Sequence, residues 1–231
     1  MITFNKLAYS MLDQIRGGLL SDDESISLRL VKYWINNTRS LLIRQDLDRG
    51  KSISANIIQT ISCLELTEVD ASTCPCNVPI GCTITRTVRT IPKPIETAQK
   101  DLIVRVGPID VTARAFSFIN QFRANWTGYS AFNLNPKAFY RDQYIWIIGS
   151  PQGLKYITIQ GVFENPEDLA SYVACTNLPC YTDNDIYPIS AWMIPAMEKI
   201  IMESNLKIAV STPIDEKGNA KPDYTTEQTK E

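Results

Sequence analysis

The chain has 231 residues, of which 44% are hydrophobic and 21% are charged, and its formal net charge is −2. This composition is that of a globular protein with a sizeable core, and the absence of a basic excess argues against tight, direct binding of nucleic acid. The sequence contains no histidine, which excludes histidine-based nucleophilic catalysis, histidine acid–base chemistry and histidine-ligated metals.

Two amphipathic helices are predicted in the first fifty residues. Residues 4–15 carry apolar side chains at the spacing of one helical face, with Thr3 as N-cap and a Gly-Gly pair after the end. Ser21 and Glu24 form a capping box, which predicts a second helix from there to about Leu47. Its apolar arc is wider than the roughly 100° of an ordinary surface helix, so we expect it to pack on more than one neighbour.

The second helix allows two interpretations. Apart from a polar stripe at helical spacing, the helix is broadly apolar; the stripe consists of Ser25, Arg29, Lys32, Asn36, Arg39 and Ser40. The helix is either the central element of an intramolecular bundle or is shared between the core and a subunit interface. In the second case Trp34 and Leu41 are the candidate interface anchors.

From about Gln59 the sequence becomes rich in alternation and β-branched residues, which is typical of strands. Within this block, residues 139–146 predict a β-hairpin with a polar turn. Trp126 and Tyr129 lie in a loop-rich part of the block, where they either fill the β core or form a second set of interface anchors. The candidate strands are residues 63–69, 83–88, 102–106, 115–118, 138–140, 144–148 and 155–163.

Helical spacing returns near the C-terminus. A short helix is predicted to start at Pro166, and a longer one over about residues 189–209, where Pro195 marks a kink or a later start. The composition of residues 215–231 predicts a tail that is disordered alone and ordered only against a neighbour.

These elements predict an α+β fold, in which N- and C-terminal helices form a helical bundle with an inserted β-rich subdomain. Because both terminal segments have apolar faces that need partners, the simplest packing brings them together. The expected boundaries are residues 1–58 for the N-terminal part of the bundle, 59–185 for the β-rich subdomain, 186–212 for the C-terminal part of the bundle and 213–231 for a flexible tail.

Six cysteines leave three interpretations open: a Cys-only zinc site, disulfides, or thiols that simply pack. Cys74, Cys76 and Cys82 are the densest cluster, but their spacing is not that of a zinc knuckle. We therefore expect the cysteines to be reduced and metal-free in a protein that is made in a cytoplasm. No catalytic, cofactor or metal site is predicted. The full set is Cys63, Cys74, Cys76, Cys82, Cys175 and Cys180.

Six strings of the chain are distinctive, although they carry no chemistry. They are residues 4–9 (FNKLAY), 17–30 (GGLLSDDESISLRL), 42–46 (LIRQD), 69–76 (VDASTCPC), 105–110 (RVGPID) and 161–166 (GVFENP). Together they resemble virion structural proteins of crAss-like phages and related short-tailed viruses of gut Bacteroidales. The likeness spans most of residues 1–210.

The resemblance implies a non-enzymatic ring protein of the head-to-tail connector, stacked below the portal as a dodecamer around a DNA channel. Its partners are then further copies of itself, the portal protein, adjacent tail rings and passing genomic DNA without sequence-specific binding. The alternative is a Cys-dependent metal-binding or regulatory protein of the same phage. Since no secretory signal and no apolar run of about 18 residues occurs, we expect assembly in the host cytoplasm and no membrane contact.

Overall fold

The computed structural model describes residues 2–16, 26–73, 83–97, 101–110, 112–124 and 135–206. Within these ranges the chain forms a seven-stranded mixed sheet that curls into a nearly closed barrel. A layer of helices packs beside the barrel and has its own apolar cluster. The barrel is filled by a second cluster, in which isoleucines predominate.

Helix α1 spans Phe4–Ile15, as predicted. The Thr3 hydroxyl caps it by accepting a hydrogen bond from the amide of Lys6 (3.3 Å), which satisfies one of the free donors of the first turn. The apolar face predicted from the spacing is the buried one; it consists of Phe4, Leu7, Ala8, Met11 and Leu12.

Helix α2 spans Leu28–Asp48, so its end agrees with the sequence prediction. The predicted start at the capping box is wrong, because Ile26 and Ser27 are not helical. The Ser27 hydroxyl instead accepts a hydrogen bond from the amide of Leu30 (3.2 Å) and acts as the N-cap. The capping box itself, residues 21–24, lies outside the described residues.

Near the C-terminus, a 3-10 helix over Pro166–Ser171 begins with the predicted proline. Helix α4 spans Ile194–Ile200 and continues as a π-helix over Ile201–Leu206. Pro195 occupies its first turn, which confirms the later start, because a proline there breaks no helical hydrogen bond. The buried side chains of Met197 and Ile201 join α1 and α2 in the helical cluster.

Seven strands form the sheet in the order β3-β7-β1-β2-β6-β5-β4, and only β4 and β5 are parallel. The barrel nearly closes because the amide of Phe116, just before β4, donates to the carbonyl of Val106 in β3 (2.8 Å). A four-residue helix, α3, spans Gln121–Ala124. The strands are β1 Gln59–Asp70, β2 Thr83–Thr87, β3 Ile103–Pro108, β4 Ser117–Phe118, β5 Lys137–Arg141, β6 Tyr144–Ile148 and β7 Tyr156–Gly161.

The predicted hairpin over residues 139–146 is confirmed. Strands β5 and β6 pair in antiparallel register from Lys137 opposite Ile148 to Arg141 opposite Tyr144. The two turn residues between them, Asp142 and Gln143, have φ values of 52° and 64°. Two successive positive φ values give the turn that matches the twist of the flanking strands.

The expected helical bundle with an inserted β-rich subdomain is wrong, since the sheet is the main body of the structure. The prediction assumed that the apolar faces of the terminal helices need only each other. In the structure those faces also pack on residues that flank or connect the strands, among them Ile57, Ile95, Leu102 and Val162. The helices therefore form a layer on a barrel, and the barrel has a core of its own.

Strand β1 crosses from one half of the sheet to the other, and a bulge marks the crossing. Its first part pairs with β7 and its last part pairs with β2. The register shifts between Ile61 and Leu64, where Cys63 has a φ of 56°. A bulge of this kind bends the strand and increases its twist, which helps the sheet to curl.

The bulge also carries a disulfide between Cys63 and Cys175, whose Cα atoms lie 5.3 Å apart. The expectation that all cysteines are reduced is therefore wrong for this pair, because the fold brings together two residues that are 112 positions apart. Cys180 is a free thiol. Cys74, Cys76 and Cys82 lie outside the described residues.

We expect this disulfide to stabilise the free chain substantially. Closing a loop of this size restricts the unfolded state, so the double variant Cys63→Ser/Cys175→Ser should lower the free energy of unfolding by about 2–5 kcal/mol. Urea denaturation without reductant measures the difference. Cys180→Ser is the matched control and should change little; equal unfolding curves for the two variants would contradict the prediction.

Candidate functional site

The polar stripe of α2 is largely buried against the barrel side of the molecule. Arg39 is fully buried; its Nε donates to the carbonyl of Pro188 (2.6 Å) and its Nη1 donates to the carbonyl of Phe163 (2.8 Å). Loss of hydration lowers the pKa of Arg39 from its ordinary value. The guanidinium also lies 5.7 Å from the ring centre of Tyr187. One arginine thus joins the helix to two separate stretches of chain.

Neighbouring side chains extend this buried contact along α2. Asn36 accepts a hydrogen bond from the hydroxyl of Tyr187 (2.8 Å) and donates one to the carboxylate of Glu167 (3.0 Å). The hydroxyl of Ser40 donates to the carbonyl of Glu164 (3.1 Å). The polar residues of the stripe therefore hold α2 in one rotational setting, because turning the helix would break several hydrogen bonds at once.

The same contact carries ionisable groups whose pKa values are shifted by burial. Burial raises the pKa of Glu167 above its ordinary value, and the hydrogen bond from Asn36 only partly opposes this. Burial also raises the pKa of Tyr187, so its hydroxyl stays protonated. Lys32 forms an ion pair with Asp183 at the edge of the contact.

Lys32, Asn36, Arg39 and Ser40 of the stripe are buried or half-buried, whereas Arg29 is exposed and belongs to the line of residues that α2 presents to solvent. We call this surface the α2 face: Arg29, Tyr33, Asn37 and Leu41, which follow one another at four-residue spacing and are all exposed. Tyr33 is 63% exposed and Leu41 is 45% exposed. Large apolar side chains exposed on a rigid helix are typical anchors of protein interfaces.

Two crevices border the α2 face. One, of about 370 Å³, lies between Tyr33, Leu41 and Arg44 on the helix and Glu164 opposite. Glu164 pairs there with Arg44, and Lys93 Nζ lies 3.4 Å from the same carboxylate. The other, of about 600 Å³, extends past Arg29 toward the 3-10 helix Pro166–Ser171. Shallow crevices beside protruding side chains are suited to a protein partner.

Of the predicted interface residues on α2, one is exposed and the other is buried. Leu41 lies on the α2 face, whereas Trp34 is 8% exposed and belongs to the helical core. Trp126 and Tyr129 lie outside the described residues. Tyr33 was missed by the sequence analysis, although its position two turns before Leu41 is the signal that relates them. The interface role of these residues stays a prediction.

The described residues contain no group of three or more His, Cys, Asp and Glu side chains placed to hold a metal ion. Cys63 and Cys175, two possible ligands of the alternative metal-binding interpretation, are paired with each other and are not available as thiolates. Among the helices in the described ranges, none is long and apolar enough to span a membrane.

Comparison with known proteins identifies the family of the chain. A family model described as phage tail ring protein 2, of the crAss-like group, matches residues 6–224. The match covers most of α1 and the whole of α2, of every strand of the barrel and of α4. No curated protein matches the chain.

We expect Arg39 to be essential for the stability of the chain. In Arg39→Leu the carbonyls of Pro188 and Phe163 lose their donors inside the protein, which should lower the free energy of unfolding by about 3 kcal/mol. Chemical denaturation measures this, with Arg29→Leu on the exposed side of the same helix as the control. Similar losses in both variants would show that the buried contact does not hold the helix.

The stability of the chain should also depend on the protonation of Glu167. Because its pKa is raised on folding, the folded state binds the proton more tightly, so this contribution is present at low pH and lost as pH rises through the folded pKa. Glu167→Gln keeps the acceptor for Asn36 and removes the charge. We expect the variant to unfold at a higher temperature than the natural chain at neutral pH but not at about pH 4. The gain in the free energy of unfolding should be less than about 1 kcal/mol, because the Glu167 carboxyl is partly hydrated.

Thermal unfolding across this pH range tests the prediction. Glu203→Gln, at an exposed ion pair on the π-helix, is the control and should show no such pH-dependent difference. A Glu167→Gln variant that is less stable than the natural chain at every pH would mean that the charged carboxylate is favourable where it lies.

Proposed function

Because the chain belongs to the phage tail ring protein 2 family, we propose that it assembles into a closed ring in the tail, as one of the stacked rings between the portal and the rest of the tail. The family establishes a structural role in the phage particle. Beyond this family-level role, we propose that the ring is a dodecamer below the portal and that DNA passes through its central channel. Its partners are then further copies of the chain, the portal protein and the adjacent tail rings.

The α2 face is the observation that best supports ring contacts. A closed ring of identical subunits needs two different surfaces that fit each other, since a self-complementary patch stops at a dimer. Tyr33 and Leu41 supply exposed apolar anchors, and the buried hydrogen bonds of Arg39 fix their direction. Trp34 packs beneath them and supports the helix from the core side.

The second surface of the ring contact is proposed to include Trp126 and Tyr129, as in the sequence analysis. A stable contact of this kind buries roughly 800 Å² on each partner. Tyr33 and Leu41 alone expose far less, so the contact needs the bordering crevices as well. Because the apolar area of the contact is small, we expect the free chain to be mostly monomeric. Rings should form when the portal protein is present to hold the subunits together.

The charge of the chain fits a channel for passing DNA. At a formal net charge of −2, the chain has no excess of cations with which to neutralise phosphates and release counterions. Weak contact lets DNA slide past, whereas a strongly basic ring would retain it.

We expect Leu41→Glu to abolish ring formation without unfolding the chain. The substitution puts a charge in the centre of the proposed contact, where it loses hydration without gaining a partner. A cost of about 1.4 kcal/mol weakens each contact about tenfold, and because the cost recurs at every contact of the ring, the ring yield should fall by much more than tenfold. Native mass spectrometry of the chain mixed with portal gives the yield, and circular dichroism checks folding.

Val104→Glu is the matched control, because Val104 is 46% exposed on β3, outside the α2 face, and Leu41 is 45% exposed. Ring yield with Val104→Glu should match that of the natural chain. Normal rings from Leu41→Glu would refute the α2 face as a ring contact. A stable symmetric dimer that ignores portal would refute the ring itself.

A further inference from the structure

The disulfide between Cys63 and Cys175 lies at the surface of the molecule. Cys175 is exposed and Cys63 is half-buried, so a small thiol in solvent can approach the bond from the side of Cys175. Structural disulfides of secreted proteins resist reduction by such thiols, whereas exposed disulfides have higher reduction potentials and include the labile and regulatory ones. The accessibility of this pair is therefore that of a disulfide that opens and closes.

Cys175 belongs to a short hairpin of residues 173–179, which we call the latch hairpin. Its two ends are joined by an isolated antiparallel bridge, and near its tip the amide of Ala174 donates to the carbonyl of Leu178 (2.8 Å). Every residue of the hairpin except Ala174 is exposed. These contacts lie within the hairpin, whereas the bond to Cys63 ties its tip to strand β1.

The chain on both sides of the latch hairpin is held firmly. Tyr172 and Tyr181 are buried and pack in the core of the barrel. The hydroxyl of Tyr172 donates to the carbonyl of Thr90, and the amide of Cys180 donates to the carbonyl of Tyr172 (2.8 Å). Opening the disulfide therefore frees the exposed tip of the hairpin and leaves its base in place.

Cys63 supplies the fixed end of the bond. Ile61 and Leu64, its neighbours in β1, are buried in the core of the barrel and pair with β7 on either side of the bulge. The extra residue of a bulge stands outside the hydrogen-bonded ladder of the sheet. Exchange at the sulfur of Cys63 therefore does not disturb the strand pairing, and the barrel stays intact whether the bond is open or closed.

We propose that the Cys63–Cys175 pair is a reversible redox latch, which is open as two thiols inside the host cell and closed as a disulfide in the released particle. The two environments follow from the proposed function, because a virion protein is made in a reducing cytoplasm and later leaves it. The open latch leaves the tip of the hairpin movable during assembly. The closed latch links residues that are 112 positions apart, which restricts the unfolded chain and makes the finished particle harder to unfold.

The latch opens by thiol–disulfide exchange with a monothiol such as glutathione. The first glutathione thiolate attacks the sulfur of Cys175, forms a mixed disulfide there and releases Cys63 as a thiolate. A second glutathione thiolate attacks the glutathione sulfur of the mixed disulfide, which releases Cys175 and one molecule of oxidised glutathione. Two glutathione thiols thus lose two electrons and two protons, and the two cysteines gain them. Closing is the reverse reaction, with oxidised glutathione or another small disulfide as the oxidant.

Redox titration of the full chain tests the latch. Cys180→Ser is the background, because a protease that cuts after glutamate then leaves Cys63 as the one cysteine of residues 25–65 and Cys175 as the one cysteine of residues 168–198. The chain is equilibrated with glutathione without denaturant, and free thiols are blocked with N-ethylmaleimide. Compared with an oxidised buffer, a buffer at the poise of a bacterial cytoplasm should lower the yield of the linked peptides at least about tenfold. A pair that stays linked there until the chain unfolds, or one that stays reduced in the oxidised buffer, would overturn the proposal.

Hydrogen exchange measures what the latch holds in place. Amides of the latch hairpin should exchange about tenfold faster in the reduced chain than in the oxidised chain, whereas amides of α1 should not change. Cys63→Ser cannot close the latch and should show the fast exchange in both buffers. Equal exchange of the hairpin in the two redox states would refute the latch, even if the disulfide is reduced reversibly.

Two single variants locate the attack. In the oxidised buffer, Cys63→Ser should capture glutathione on the exposed Cys175 at least about threefold more than Cys175→Ser captures it on the half-buried Cys63. The opposite order would place the attack at Cys63 and contradict the proposed exchange. Because ring assembly is not measured, a failure of the latch leaves the proposed function standing, and a failure to form rings leaves the latch standing.

Discussion

The burial of Arg39 is the constraint on which the arrangement of the molecule depends. Its charge is removed from water, and two main-chain carbonyls take the place of hydration; no carboxylate in the part of the chain that the structure describes forms an ion pair with it. Such an arrangement is tolerable only while both acceptors stay in position, since a buried charge with missing partners costs several kcal/mol. The carbonyl of Phe163 follows strand β7, and that of Pro188 precedes α4. A single guanidinium therefore fixes the barrel, α2 and the approach to α4 relative to one another.

The direction of the α2 face follows from that constraint. Asn36, Arg39 and Ser40 point toward the barrel, and the buried apolar side chains of α2 pack in the helical cluster, so one side of the helix is left for solvent. Tyr33 and Leu41 are exposed because the rest of the circumference is occupied. The surface proposed for ring contacts is thus set by internal polar contacts, and its rigidity lowers the entropy lost when a partner binds.

Local elements could be predicted from the sequence better than their assembly. The spacing over residues 4–15 and the polar turn of the β5–β6 hairpin act over a few residues, and both were correct. The fold class was wrong because apolar periodicity shows that a helix has a buried face but not what covers it. The polar stripe of α2 gave no sign that Arg39 is buried, since its partners are carbonyls more than 120 positions away. The Cys63–Cys175 pair depends likewise on the bulge in β1 and on long-range topology.

The boundary between helices and barrel is one of the places where buried polar atoms have no hydrogen-bond partner among the described residues. Besides Gln59 and Tyr181, Oδ2 of Asp46 is buried there without a partner in the described ranges, although Oδ1 binds Lys51 (2.8 Å). Arg39 itself has one such nitrogen, Nη2. A contact that gives such a buried atom a hydrogen-bond partner stabilises the protein where the atom would otherwise stay unpaired. In the proposed ring, the rigid helical contacts of α2 would define the geometry of assembly, while the unpaired atoms at the boundary are available to a segment that covers them.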